Sequence, residues 1–98
     1  MSAVVVRYRV HPEHAEENAA LVRAVYAELA EQAPAGFRYA TFVEADGVSF
    51  VHVAVMDAGV PAPLPGLAAF QTFRAGLDER CAEGPVSTPV SPVGGYGW

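Results

Sequence analysis

The chain has 98 residues, 52% of them hydrophobic, and a formal net charge of −5 from six Lys and Arg against eleven Asp and Glu. That length holds one core, so residues 1–98 are read as a single domain. There is no basic stripe to neutralise phosphates or anionic headgroups, which argues against nucleic-acid and membrane-surface partners, and no apolar run approaches the roughly 20 residues of a membrane span.

Ala3 to Val10 alternates, with Val4, Val6, Tyr8 and Val10 as one set and Val5, Arg7 and Arg9 as the other. This is the period of a strand with two unlike faces. His11-Pro12-Glu13 then opens a helix. Pro12 suits the first helical position, where a missing N–H costs nothing, and Glu13, Glu16 and Glu17 sit at the positive end of the helix dipole. Ala15, Val22, Tyr26, Leu29 and Ala33 make its apolar stripe, and Pro34-Ala35-Gly36 ends it.

Phe37 to Glu44 and Val48 to Met56 read as two strands joined by Asp46-Gly47, a dipeptide that tolerates the positive φ of a tight hairpin. Asp57 to Pro63 is loop by composition. Pro65 opens a second helix with Leu67, Phe70, Phe73 and Leu77 on one face and Arg74, Asp78 and Arg80 elsewhere, and Gly84-Pro85 is expected to stop it. Val86 to Tyr96 is the last strand; Pro89 and Pro92 confine it to an edge or a bulge. The order β-α-β-β-α-β predicts a ferredoxin-like α+β fold, a four-stranded antiparallel sheet with two helices on one face and spatial order 4-1-3-2.

The hairpin sets Val43 opposite Phe50, Thr41 opposite His52 and Tyr39 opposite Ala54, and opposed residues share a face. One face then carries Ala40, Phe42, Val51, Val53 and Val55, all apolar; the other carries Phe37, Tyr39, Thr41, Val43, Phe50, His52, Ala54 and Met56. The uniform face is expected to lie under the helices. That turns His52 away from them, with Arg7, Tyr39 and Thr41 around it, onto a surface too apolar to stay wet. A second copy of the chain is the expected cover, making a homodimer with a cavity in each protomer.

The opening Val-Val-Val-Arg-Tyr-Arg-Val-His-Pro-Glu, the strand Phe-Val-His-Val-Ala-Val and the late helix Leu-Ala-Ala-Phe-Gln-Thr-Phe together resemble the dimeric α+β barrel superfamily, in particular the antibiotic-biosynthesis-monooxygenase-like proteins. The resemblance covers nearly the whole chain and is architectural. It implies a homodimer and a cofactor-independent enzyme acting on a small hydrophobic aromatic or polyketide-type molecule. The superfamily also holds haem-degrading enzymes, lactone isomerases and polyketide cyclases. The Trp and Asn often found in the monooxygenase pockets have no counterpart on the expected pocket face: the one Trp is Trp98 and the one Asn is Asn18, in the first helix.

Within the expected cavity, His52 reads in two ways. It is a general base for an acidic C–H or a phenol, or a histidine hydrogen-bonded to Thr41 or to the partner chain. Arg7 would stabilise an enolate or phenolate or pair with a carboxylate such as Glu44, and Tyr39 would orient or protonate the substrate. Phe37, Thr41, Phe50, Met56 and, at the mouth, Trp98 are the expected substrate contacts. His11 and His14 straddle the start of the first helix and share no helical face, so no metal site is expected. Nor does any dinucleotide or other cofactor fingerprint occur. The single cysteine, Cys81, reads as an inert thiol at the end of the second helix. With no pairing partner and no signal-peptide pattern at Met1-Ser2-Ala3, a cytoplasmic location is expected.

Overall fold

Period-two patterning produces four strands in the computed structural model, which describes residues 1–97: β1 (Ser2–Val10), β2 (Phe37–Val43), β3 (Ser49–Met56) and β4 (Cys81–Val90). Helix α1 (Ala15–Gln32) joins β1 to β2, and α2 (Ala68–Ala75) with the short α3 (Leu77–Arg80) joins β3 to β4. The sheet order is β2-β3-β1-β4, all pairs antiparallel. This is the expected ferredoxin-like order, with the proline-bearing strand at an edge.

The hairpin register is the one that Asp46-Gly47 dictates: Tyr39↔Ala54, Thr41↔His52 and Val43↔Phe50. Gly47 takes φ 75°, and the Asp46 carboxylate accepts bonds from the Val48 and Ser49 amides at 3.0 and 2.9 Å. The Ser49 hydroxyl, which donates to the same carboxylate at 2.6 Å, and with it the two amide bonds hold the Asp46 carboxyl below its usual pKa. Helix α1 follows a single turn begun by Pro12 and closes on Ala33, whose N–H donates the last helical bond to the Leu29 carbonyl at 2.7 Å and whose left-handed φ of 44° turns the chain out of the helix. Helix α2 has no capping side chain of its own; Glu28 of α1 supplies one, accepting from the Ala69 amide at 2.8 Å and the Ala68 amide at 3.3 Å.

The facing of the sheet is the reverse of the expected one. Helices α1 and α2 cover the mixed face, and the core beneath them holds Tyr8, Val10, Val22, Val25, Phe50, Phe73 and Leu77. His52 lies in this layer, 5% exposed. The hairpin parity is correct and its assignment to the helices is inverted, because uniform apolarity is a poor guide when the helices bring polar partners of their own. The β1–β3 register decides the matter: Val6 lies opposite His52 and Arg7 opposite Val51. The set Val4, Val6, Tyr8 and Val10, which does face the helices, therefore shares the side of His52, and Arg7 does not. The second helix also ends earlier than Gly84-Pro85 suggests. It stops at Arg80, and Cys81, Gly84 and Pro85 belong to β4, where an outer strand with a register shift tolerates proline.

Candidate functional site

Helix α2 and the segment before it bridge the mixed face without filling it. They leave a cavity of about 480 Å³. Val4, Val6, Tyr39, His52 and Met56 contribute to its floor, Leu64, Phe70 and Phe73 to its roof, and Arg74, Asp78 and Ser87 to its lining. Largely apolar walls with a few convergent polar groups are the usual make-up of a small-molecule site.

The polar groups converge on His52. Its Nε2 lies 2.7 Å from the Tyr8 hydroxyl, and its Nδ1 lies 2.6 Å from the Tyr39 hydroxyl and 3.1 Å from Thr41 Oγ1. Behind Thr41, the Tyr26 hydroxyl sits at 2.8 Å. Behind Tyr8, Asn18 Nδ2 donates to the hydroxyl at 3.0 Å, and Arg80 Nε donates to Asn18 Oδ1 at 3.1 Å. Arg80 is anchored by a 2.8 Å bond from Nη2 to the Phe73 carbonyl, with its guanidinium 5.4 Å from the Phe73 ring. The Phe73 ring in turn lies 5.6 Å from that of His52.

Burial sets the protonation states. It pushes the His52 pKa down to about 4, so the ring is neutral at pH 7. Burial raises the Tyr8 hydroxyl to about 12 against the opposing Asn18 bond, and raises Tyr39 and Tyr26 as well, so all three phenols keep their protons. A neutral imidazole held between neutral phenols can pass protons without a net buried charge at rest.

The structure brings His52, Tyr39 and Thr41 together, and sets Phe37 and Met56 in the cavity wall. Phe50 is buried behind the wall, stacked on Tyr8 at 5.6 Å. Arg7 is a correction: it projects from the other face, its side chain 65% exposed, 3.7 Å from Glu44. It pairs with the carboxylate that the sequence offered as its alternative partner. Trp98 lies outside the described residues. His11 and His14 do not converge on a ligand set; His14 Nδ1 pairs with Glu17 at 3.0 Å, and no cluster of three metal-ligating side chains occurs among the described residues. Cys81 is a half-buried thiol at the start of β4, its pKa raised by burial.

Four members of the polar network were missed: Asn18, Arg80, Tyr8 and Tyr26. Asn18 is fully buried and Arg80 is 4% exposed. Asn18 lies three residues after Ala15 and four before Val22, squarely on the α1 stripe. Arg80 continues the spacing Phe73, Leu77. A polar residue at a stripe position was the available signal for both. Tyr8 was grouped with Val4, Val6 and Val10 and Tyr26 with the apolar stripe of the first helix, and the partners of their hydroxyls were not seen.

No protein-family model matches the chain, and no curated protein is similar to it in sequence. Solved structures do match in fold. Rv0793 from Mycobacterium tuberculosis is 22% identical with a TM-score of 0.75, over 96% of each chain. A protein described as an antibiotic biosynthesis monooxygenase gives a TM-score of 0.77 at 14% identity, over 96% of this chain and 100% of that one. SnoaB, a cofactor-independent oxygenase from Streptomyces nogalater, seen as a single-substitution variant, gives 0.71 at 20% identity, over 99% and 97%. The chain therefore shares its fold, an antiparallel four-stranded sheet with helices on one face, with these solved structures. Among the described residues, no helix is long and apolar enough to cross a membrane.

Proposed function

We propose that the cavity beneath α2 binds a small hydrophobic aromatic or polyketide-type molecule and that the protein acts on it as a cofactor-independent monooxygenase-like enzyme. The observation that carries this reading is the contact of neutral His52 with the Tyr39 hydroxyl at 2.6 Å, both in the wall of a largely apolar cavity. The neighbours of the same fold described as an antibiotic biosynthesis monooxygenase and a cofactor-independent oxygenase support it. A phenolic substrate and dioxygen supply reductant and oxidant between them, so the reaction needs no resident redox group.

Tyr39 is the group that touches substrate in this reading, and His52 works through it. A direct general base needs a ring lone pair facing the cavity, and both His52 nitrogens already lie against hydroxyls. A hydroxyl aimed at a substrate oxygen stabilises the enolate or phenolate form there. Tyr39→Phe is expected to lower oxygen uptake with a polycyclic phenol by roughly 10²-fold while the fold persists. Uptake no higher than in buffer, for the unaltered chain across a panel of such phenols, would leave the second reading: a ligand-binding homodimer without chemistry, which the engagement of both ring nitrogens favours.

The homodimer belongs to the proposal in either case. The helix-free face of the sheet carries Val5, Val51, Val53, Phe42, Val86 and Val90, with Phe42 59% and Val86 64% exposed. Such a stripe is more than a monomer usually leaves in water. We infer that a second copy covers it, on the face opposite to the one the sequence suggested.

A further inference from the structure

We propose that Arg80, Asn18 and Tyr8 form a positioning relay that keeps the His52 proton on Nδ1 and so turns the Tyr39 hydroxyl hydrogen into the cavity, which then selects ligands carrying an acceptor oxygen, a ketone or quinone carbonyl. For its ligand this rests on the function proposed above; for the proton placement it does not.

A neutral imidazole has one N–H and one lone pair. Two tyrosine hydroxyls flank this one, at 2.7 and 2.6 Å. One must donate to the ring and the other accept from it, and the trio alone does not choose. The choice is made further back. Arginine has only donors, so the 3.1 Å bond from Arg80 Nε fixes the Asn18 oxygen on that side. The Asn18 amide nitrogen is then left to donate to Tyr8 at 3.0 Å. Because Tyr8 accepts there, its own hydrogen goes to His52 Nε2. The ring proton sits on Nδ1 and is donated to the Tyr39 oxygen.

On the far side, Tyr26 is a phenol and the stronger donor of its pair, so it donates to Thr41 at 2.8 Å. Thr41 Oγ1 also lies 3.1 Å from His52 Nδ1, so it is a second, longer acceptor for the Nδ1–H beside the Tyr39 oxygen at 2.6 Å. With its oxygen accepting, Tyr39 has its hydrogen left for the cavity that it lines. Burial keeps the pattern fixed: Asn18 is 0% and Arg80 4% exposed, so no bulk water competes to reorient them. Gly76 makes room, since a Cβ there would lie 3.0 Å from Arg80 Nη1.

Asn18→Asp tests the relay, because it keeps the shape and removes the donor. The carboxylate takes the hydrogen of Tyr8, the Tyr8 oxygen accepts from Nε2–H, and Tyr39 donates to Nδ1 instead of to the cavity. Long-range 1H–15N correlations of the His52 ring in the ligand-free protein are expected to show the Nδ1–H tautomer in the parent chain and Nε2–H in the variant. Binding of 1-tetralone, an aryl ketone, is expected to weaken roughly tenfold while binding of tetralin, its hydrocarbon counterpart, is unchanged. An Nε2–H ring in the parent chain, or Nδ1–H persisting in folded Asn18→Asp, overturns the proposal. If Asn18→Asp does not fold, Arg80→Met frees the Asn18 amide to turn over, and a single Nδ1–H tautomer surviving in it overturns the proposal equally. The ring spectra need no ligand. Failure of every aromatic to bind removes the proposed function and the ligand preference while the relay stands; binding of tetralone to a chain with an Nε2–H ring removes the relay alone.

Discussion

Lowering the pH from 7 to 4 is expected to remove roughly 3 kcal/mol of folding stability through His52 alone. The native ring titrates at about 4, held there by burial, whereas the unfolded ring titrates near 6.5. Between those values the unfolded chain binds a proton that the native chain refuses. Unfolding is therefore favoured progressively as the pH falls through 6.5, and the effect levels off below about 4. Above pH 6.5 both states hold a neutral ring and His52 contributes no slope. The comparison is with His52→Gln, whose amide keeps one donor and one acceptor in the network, so that the contribution of this ring alone is read. Urea unfolding at pH 4.5, 5.5 and 7 is expected to give a shallower dependence in the variant. Equal slopes in the two proteins would mean that the ring is solvated or that its native pKa is ordinary.

A carboxylate on the helix-free face is expected to separate the protomers. Val53 stands between Val5 and Ala40 in the middle of that face. Val53→Asp would set an unpaired charge against the same residue's neighbourhood in the second copy. Burying it costs several kcal/mol, so the dimer should weaken by roughly two decades or more. Sedimentation at micromolar concentration is expected to give a dimer for the parent chain and a monomer for the variant, with the His52 ring signals unchanged because the cavity lies on the other side of the sheet. A monomeric parent chain at tens of micromolar, or a variant as dimeric as the parent, would refute the assembly.

Much of the architecture was legible because short-range rules fix it. Asp46-Gly47 set the hairpin register to the residue, and the prolines of the last strand put it at an edge. The facing of the sheet was not legible from the hairpin alone. It depends on which residue of β1 lies opposite His52, a long-range register that no local signal encodes. Uniform apolarity pointed the wrong way, since Val51 and Val53 lie on the helix-free face while Tyr39, Thr41 and His52 lie beneath helices that carry Asn18 and Tyr26 to meet them. The site followed the same pattern. His52 and Tyr39 stood out as polar residues in apolar strands, and they do meet. Arg7 was grouped with them through the inverted facing. Asn18 and Arg80 were hidden among ordinary polar residues until their positions on apolar stripes are taken seriously.

The most direct test of the account is a crystal structure of the protein with 1-tetralone bound. The ring system is expected in the cavity between the sheet and Phe73, with the ketone oxygen about 2.6–3.2 Å from the Tyr39 hydroxyl. Tetralone seated on the helix-free face, or in the cavity with its oxygen turned from Tyr39 toward Arg74, would contradict it.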